Sequence, residues 1–196
     1  MTQDKYVDPE TGILRNLLGI TNPKELEKAE ADFTRRRIRE LEEFPIPGQF
    51  DLAHLQAIHR HLTQDLVSWA GEVREINISK GYMFCPVENL HSYAQDIFGS
   101  FAAKGFLRGL SREEFVLEVA HFYGDVNALH PFREFNGRTQ RVFFSQLAHE
   151  AKWHIAWDRM NPQQNIDASI ASFQGRETLM RKMFDELIET LGRLGK

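Results

Sequence analysis

Only one cysteine, Cys85, occurs in 196 residues, so no disulfide can close within the chain, and this fits a reducing compartment. No apolar run of signal-peptide type opens the sequence at Met1 to Asp8, and no segment approaches the length needed to span a bilayer. Charge of one sign is also missing: 24 Lys and Arg stand against 28 Asp and Glu, a formal net charge of -4. That balance offers no general attraction to nucleic acid or to an anionic membrane. Internal repeats and low-complexity stretches are absent. What remains is one ordinary soluble domain with 42% hydrophobic residues, expected in the cytoplasm, whose partners must be read from a site.

Helical periodicity dominates. Pro23 to Phe44 is charged, with sparse apolar positions at Leu26, Phe33, Ile38 and Leu41, which predicts a surface helix ended by Pro45 and Pro47. Within it Arg35, Arg36 and Arg37 are interleaved with glutamates, the pattern of a solvated face. Asp51 to Leu66 carries Leu52, Leu55, Ile58, His59, Leu62 and Leu66 at spacings of three and four, a core-facing helix with Asp51 near its start. His54, His59 and His61 fall on different faces or near the core edge, so they form no closed metal shell. Ser111 to Leu129 is the clearest helix, with a stripe of Phe115, Val119, Phe122, Val126 and Leu129 and a capping box from Ser111 and Glu114. Pro162 to Phe173 and Arg176 to Leu194 predict two more, punctuated by Gly175. Between them, Val73 to Cys85 alternates with β-branched residues around a Lys80-Gly81 break, a hairpin signal.

The chemistry concentrates in His130-Pro131-Phe132-Arg133-Glu134-Phe135-Asn136-Gly137-Arg138-Thr139-Gln140-Arg141. Pro131 biases His130 away from the α region, so the preceding helix should end at Leu129. Asn136 is a good N-cap for a helix running from Gly137. The first turn of that helix carries unpartnered N–H groups and a partial positive charge, the physics of an anion pocket. Arg138 and Arg141 share a face and can reach a polyphosphate through rigid donor forks. Glu134 is the nearby carboxylate able to hold Mg²⁺, and His130 is the proton acceptor.

These twelve residues resemble the signature of the Fic family: His-Pro-Phe, any residue, Asp or Glu, Gly, Asn, Gly or Lys, Arg, two free positions, Arg. Every fixed position matches except one, where Phe135 stands in place of the family's glycine. The segment Trp69-Ala70-Gly71 followed by the hairpin at about this distance extends the resemblance. It implies the Fic fold, all-α with a small β-hairpin flap, in a single domain over 1–196. Residues 1–47 are then an N-terminal helical segment, 48–160 the core with flap and site loop, and 161–196 C-terminal helices.

The implied activity is transfer of AMP from Mg-ATP to a Ser, Thr or Tyr hydroxyl of a target protein docked by strand addition on the flap, a type II topoisomerase being one candidate. His130 would be the base and Glu134 the Mg²⁺ ligand, with Phe135, Asn136, Gly137, Arg138 and Arg141 around the phosphates and Lys80 and Gly81 touching nucleotide from the flap turn. Retention of Gly137 favours the adenylylating subgroup over the phosphorylating one. The family's inhibitory helix, Ser or Thr, three free residues, Glu, then Gly or Asn, has no match in the chain. By resemblance a small separate antitoxin would supply it, making the chain the toxin of a pair. Two alternatives stay open: Phe135 alters the pocket so that another phosphate-containing group is transferred, or the domain is a catalytically silent binding module.

Overall fold

The computed structural model describes residues 4–191, which form seven α-helices and one two-stranded sheet. Helix α1, Pro23–Glu43, starts where Asn22 accepts hydrogen bonds from the N–H groups of Lys24 and Glu25, with proline at its first position, and stops before Pro45. Helix α2, Leu52–Thr63, is capped by Asp51. Helix α3 covers Leu90–Ala103, and α4, Arg112–Leu129, begins with the capping box of Ser111 and Glu114. Helix α5 is Asn136–Glu150, α6 is Pro162–Phe173 and α7 is Thr178–Leu187.

Helices α4 and α5 cross at the centre, joined by the 130–135 loop. Phe115, Val119, Phe122, Val126 and Leu129 from α4 meet Phe143, Phe144 and Leu147 from α5, all nearly or fully buried. Each such side chain contributes about 1.5–3 kcal/mol of transfer free energy. Phe101 of α3 stacks on Phe122 with ring centroids 3.8 Å apart. On the other side α6 lies so close to α4 that a Cβ at Gly124 would come within 2.3 Å of the Ser172 hydroxyl. A side chain there would force the Ser172 hydroxyl to move. A smaller cluster of Tyr6, Leu66, Val67, Trp69 and Phe135 lies under the site loop.

Three elements differ from the sequence expectation. Helix α3 went unpredicted, although Leu90, Ala94, Ile97, Phe98 and Phe101 repeat at helical spacing and are buried. The Val73 to Cys85 flap forms no named strand; its arms touch through one bridge, Ser79 with Met83, around Gly81 at φ +80°. Lys80 N–H to Tyr82 O at 3.1 Å and Phe84 N–H to Ile78 O at 3.2 Å close the turn, and the bases of the arms are tied elsewhere: Cys85 N–H donates to Ala128 O and Arg74 N–H to Pro131 O. The two-stranded sheet belongs to the tail, where β1, Trp153–Ile155, pairs antiparallel with β2, Ile188–Thr190, in the register Ile155 to Ile188. The last predicted helix therefore ends at Leu187, because Ile188 turns to extended geometry to join that pair. Residues 192–194 of that expectation, like the terminal boundary at 196, lie outside the described residues.

Candidate active site

His130 terminates α4 in the left-handed conformation, φ +45° and ψ +59°, outside the right-handed α region that the following proline disfavours. Its Nδ1 lies 3.1 Å from the Asn127 carbonyl, which can only accept, so Nδ1 carries the proton and Nε2 presents a lone pair. The ring stacks face to face on Phe84 of the flap at 3.7 Å. Burial, reinforced by the nearby Lys80 and Arg74 cations, pushes the imidazole pKa down to about 3. A neutral, oriented base results.

Asn136 does not cap the helix as expected. Phe135 occupies the N-cap at φ +63°, and Asn136 is the first helical residue. Its amide bridges the loop, Oδ1 accepting from Phe132 N–H at 3.0 Å and Nδ2 donating to Phe132 O at 2.7 Å. The physical reason is the tight 130–135 turn, whose backbone needs a partner more than the solvent-facing helix end does. The first helical bond joins Thr139 N–H to Phe135 O at 3.0 Å. The N–H groups of Asn136, Gly137 and Arg138 have no protein acceptor among the described residues. Open N–H groups at a helix start are the physics of an anion pocket.

The Phe135 ring is turned away from that site into the small cluster, 6.4 Å from Trp69 between ring centroids, so a role at the phosphates falls to its backbone. Arg138 lies over the opposite side of the same ring at 5.4 Å. Arg141 folds back so that its Nη1 would lie 3.5 Å from a Cβ at Gly137, and its cation faces the Tyr123 hydroxyl. Arg138 also faces the half-buried Glu30 of α1, 4.0 Å away, whose carboxyl burial raises in pKa. Glu134 Oε1 accepts from Arg133 Nη1 at 2.9 Å, while Oε2 faces the exposed Lys80 at 4.0 Å. Arg133 is itself held by Asp4 at 2.8 Å. From Arg138 and Arg141 a groove of about 870 Å³ runs along α5 past Gln146 and His149 to Trp153 and His154.

Two residues were not assigned to this site from the sequence. His59, fully buried, accepts from Gly71 N–H at Nδ1 (2.8 Å), so Nε2 carries the proton and donates to Glu134 O (3.2 Å). Its ring stacks on Phe132 at 3.9 Å, and burial pushes its pKa down to about 4. It braces the site loop as a neutral imidazole. Arg74, also buried, donates through its guanidinium to the carbonyls of His130, Leu129, Ile76 and Cys85. The signal for His59 was its place on the apolar stripe of α2; for Arg74 it was a lone basic residue in an alternating apolar segment.

A neutral imidazole at one helix end, an open N-terminus on the next helix and two arginines in that helix's first turns are the arrangement of a phosphate-handling domain. Residues 49–148 match the Fic/DOC family, and the chain belongs to that family. It is 44% identical to the protein adenylyltransferase VbhT of Bartonella schoenbuchensis over 91% of its own length and 38% of that protein. It is 33% identical to the probable protein adenylyltransferase Fic of Escherichia coli K12, covering 97% of this chain and 94% of that one. Its backbone superposes on the BepC effector of Bartonella tribocorum, solved with bound AMPPNP, with a TM-score of 0.90, 25% identity and coverage of 94% and 96%. The expected all-α Fic fold is the fold observed. No helix among the described residues is long and apolar enough to cross a membrane.

Proposed function

We propose that the chain transfers AMP from Mg-ATP to a Ser, Thr or Tyr hydroxyl of a target protein. The observation that carries this reading is the oriented, neutral His130 six residues before the first of three open N–H groups and two arginines. The target oxygen attacks the α-phosphorus, the bond to the bridging oxygen breaks, and pyrophosphate leaves. His130 Nε2 takes the hydroxyl proton. The first turn of α5 and Arg138 and Arg141 hold the phosphate oxygens, favouring the charge that develops during transfer. Glu134 suits Mg²⁺: it offers one carboxylate with Oε2 facing the exposed Lys80, and this ion normally takes one or two carboxylates plus phosphate oxygens and water. Bound there, Mg²⁺ would neutralise charge on the phosphates.

The flap, with Lys80 and Gly81 at its turn and Phe84 against His130, is the surface that would present the target hydroxyl to the base, by main-chain pairing with the arm that has no strand partner. A type II topoisomerase remains one candidate target, and the cytoplasm the expected compartment. The groove beside Arg141 is open to a small antitoxin whose glutamate would compete for that guanidinium, which fits the toxin of a toxin–antitoxin pair.

Incubation with a bacterial lysate and ATP labelled at the α- or the γ-phosphate tests the reading. Protein label from α only, abolished by His130→Ala, is expected; the loss should be of order 10²–10⁴-fold for removal of a general base. Label from γ only would mean phosphorylation and overturn the proposal, and absence of both would favour a binding module.

A further inference from the structure

Arg74 sits where the flap, the helix end and the catalytic base meet, with 1% of its surface exposed. No carboxylate among the described residues acts on its charge; the groups felt there are Cys85 and Tyr6. Its donors go to carbonyl oxygens of three segments. Nε donates to His130 O at 2.8 Å and Nη2 reaches Leu129 O at 3.4 Å, both at the end of α4. Nη1 donates to Ile76 O at 2.8 Å on the first arm of the flap, and Nη2 to Cys85 O on the second. Its own N–H donates to Pro131 O, and Cys85 N–H to Ala128 O. The four consecutive carbonyls from Ala128 to Pro131, the first two of them left without partners by the helix end, are thus all taken by Arg74 or the adjacent flap arm. A cation at a helix C-terminus is also favoured by the dipole.

We infer that Arg74 is a positioning residue for the transfer reaction: it fixes the left-handed backbone of His130 and locks the base to both arms of the flap. This rests on the proposed reading that the flap presents the target hydroxyl. The consequence is mechanical. The guanidinium adds to the main-chain bonds of Arg74 and Cys85 the direct tie between the His130 carbonyl and both flap arms, so the distance between the acceptor hydroxyl and Nε2 depends on this side chain. A planar fork is needed, because the carbonyls of His130, Ile76 and Cys85 approach different edges of the group; a lysine ammonium cannot reach all of them. The groups facing His130 are Phe84, the Asn127 carbonyl, Lys80 and Arg74, so Arg74 is one of two cations acting on the imidazole.

Arg74→Lys and Arg74→Gln separate shape from charge. In the full chain, Mg-AMPPNP affinity should change less than about threefold in both, since the phosphate site is built by α5, while transfer from α-labelled ATP falls roughly 100-fold, the cost of an ångström of misplacement. The His130 ring resonance should titrate as in wild type in the lysine variant and about one pH unit higher in the glutamine variant, which loses a neighbouring positive charge. Full transfer activity in Arg74→Lys, or loss that merely tracks nucleotide affinity, would overturn the inference. Should both variants fail to fold, amide exchange in wild type decides: the amides of Arg74, Cys85 and His130 should open together with one denaturant dependence, and independent opening of Cys85 would refute the lock. A wild-type chain that transfers no α-label defeats the AMP-transfer reading, while the titration and exchange results still judge Arg74.

Discussion

Replacing Phe135 with the glycine typical of the family should destabilise this chain. The ring is buried among Tyr6, Leu66, Val67 and Trp69, and deleting such a side chain costs about 3–5 kcal/mol. Glycine at φ +63° relieves a left-handed penalty of about 1–2 kcal/mol. It also adds about 0.5–1 kcal/mol of unfolded-chain entropy. The balance is a loss of roughly 2–4 kcal/mol, which for a domain of this size lowers Tm by roughly 5–15 °C. Phe135→Ala keeps the strain and should be no more stable than Phe135→Gly. Because the ring points away from the open N–H groups, its removal should alter nucleotide affinity at most about fivefold, through the lost cation–π contact with Arg138. Urea unfolding and Mg-AMPPNP titration of the three proteins are the assays. A glycine variant as stable as wild type would show that strain outweighs packing, and a tenfold rise in α-phosphate transfer would show that the ring obstructs the pocket.

Acid should weaken the fold through His59 and His130, whose folded pKa values of about 4 and about 3 lie below the unfolded value near 6.5. Their contribution is complete above pH 6.5 and is lost as pH falls, because only the unfolded chain takes up the protons. Between pH 6.5 and 5 the loss is about 2 kcal/mol for each histidine, measurable as a falling urea midpoint that His59→Gln should roughly halve. A midpoint unchanged from pH 7 to 5 would contradict the burial argument. Glu30→Ala removes a carboxylate beside Arg138 and should tighten Mg-AMPPNP binding about threefold to tenfold; weaker binding in calorimetry would show that Glu30 instead orients the arginine.

Much of the helical scaffold could be read directly. The stripe of α4, its capping box and Pro131 fix where that helix begins and ends, since all three act within a few residues. The same holds for the open N–H groups after Phe135, although the cap itself was misassigned: Asn136 is drawn to Phe132 across the turn, a choice set by loop closure and not by cap preference. The alternation and the Lys80-Gly81 break located the flap turn, which Phe84 N–H to Ile78 O closes, but the anchoring of its arms to Ala128 and Pro131 depends on tertiary contacts. Strand pairing between Ile155 and Ile188 was invisible because its partners are distant in the chain and only three residues long.

The order of residues from His130 to Arg141, a base at a helix end, a carboxylate, and a helix start bearing two arginines, was determined by the sequence alone, because each feature depends on local backbone preference and side-chain type. Tertiary structure alone decided that Phe84 stacks on His130, where the Phe135 ring goes, and that His59 and Arg74 hold the loop. Those outcomes depend on which carbonyls and rings from distant segments come within hydrogen-bonding or stacking distance. Burial then sets the energetic consequence of each contact.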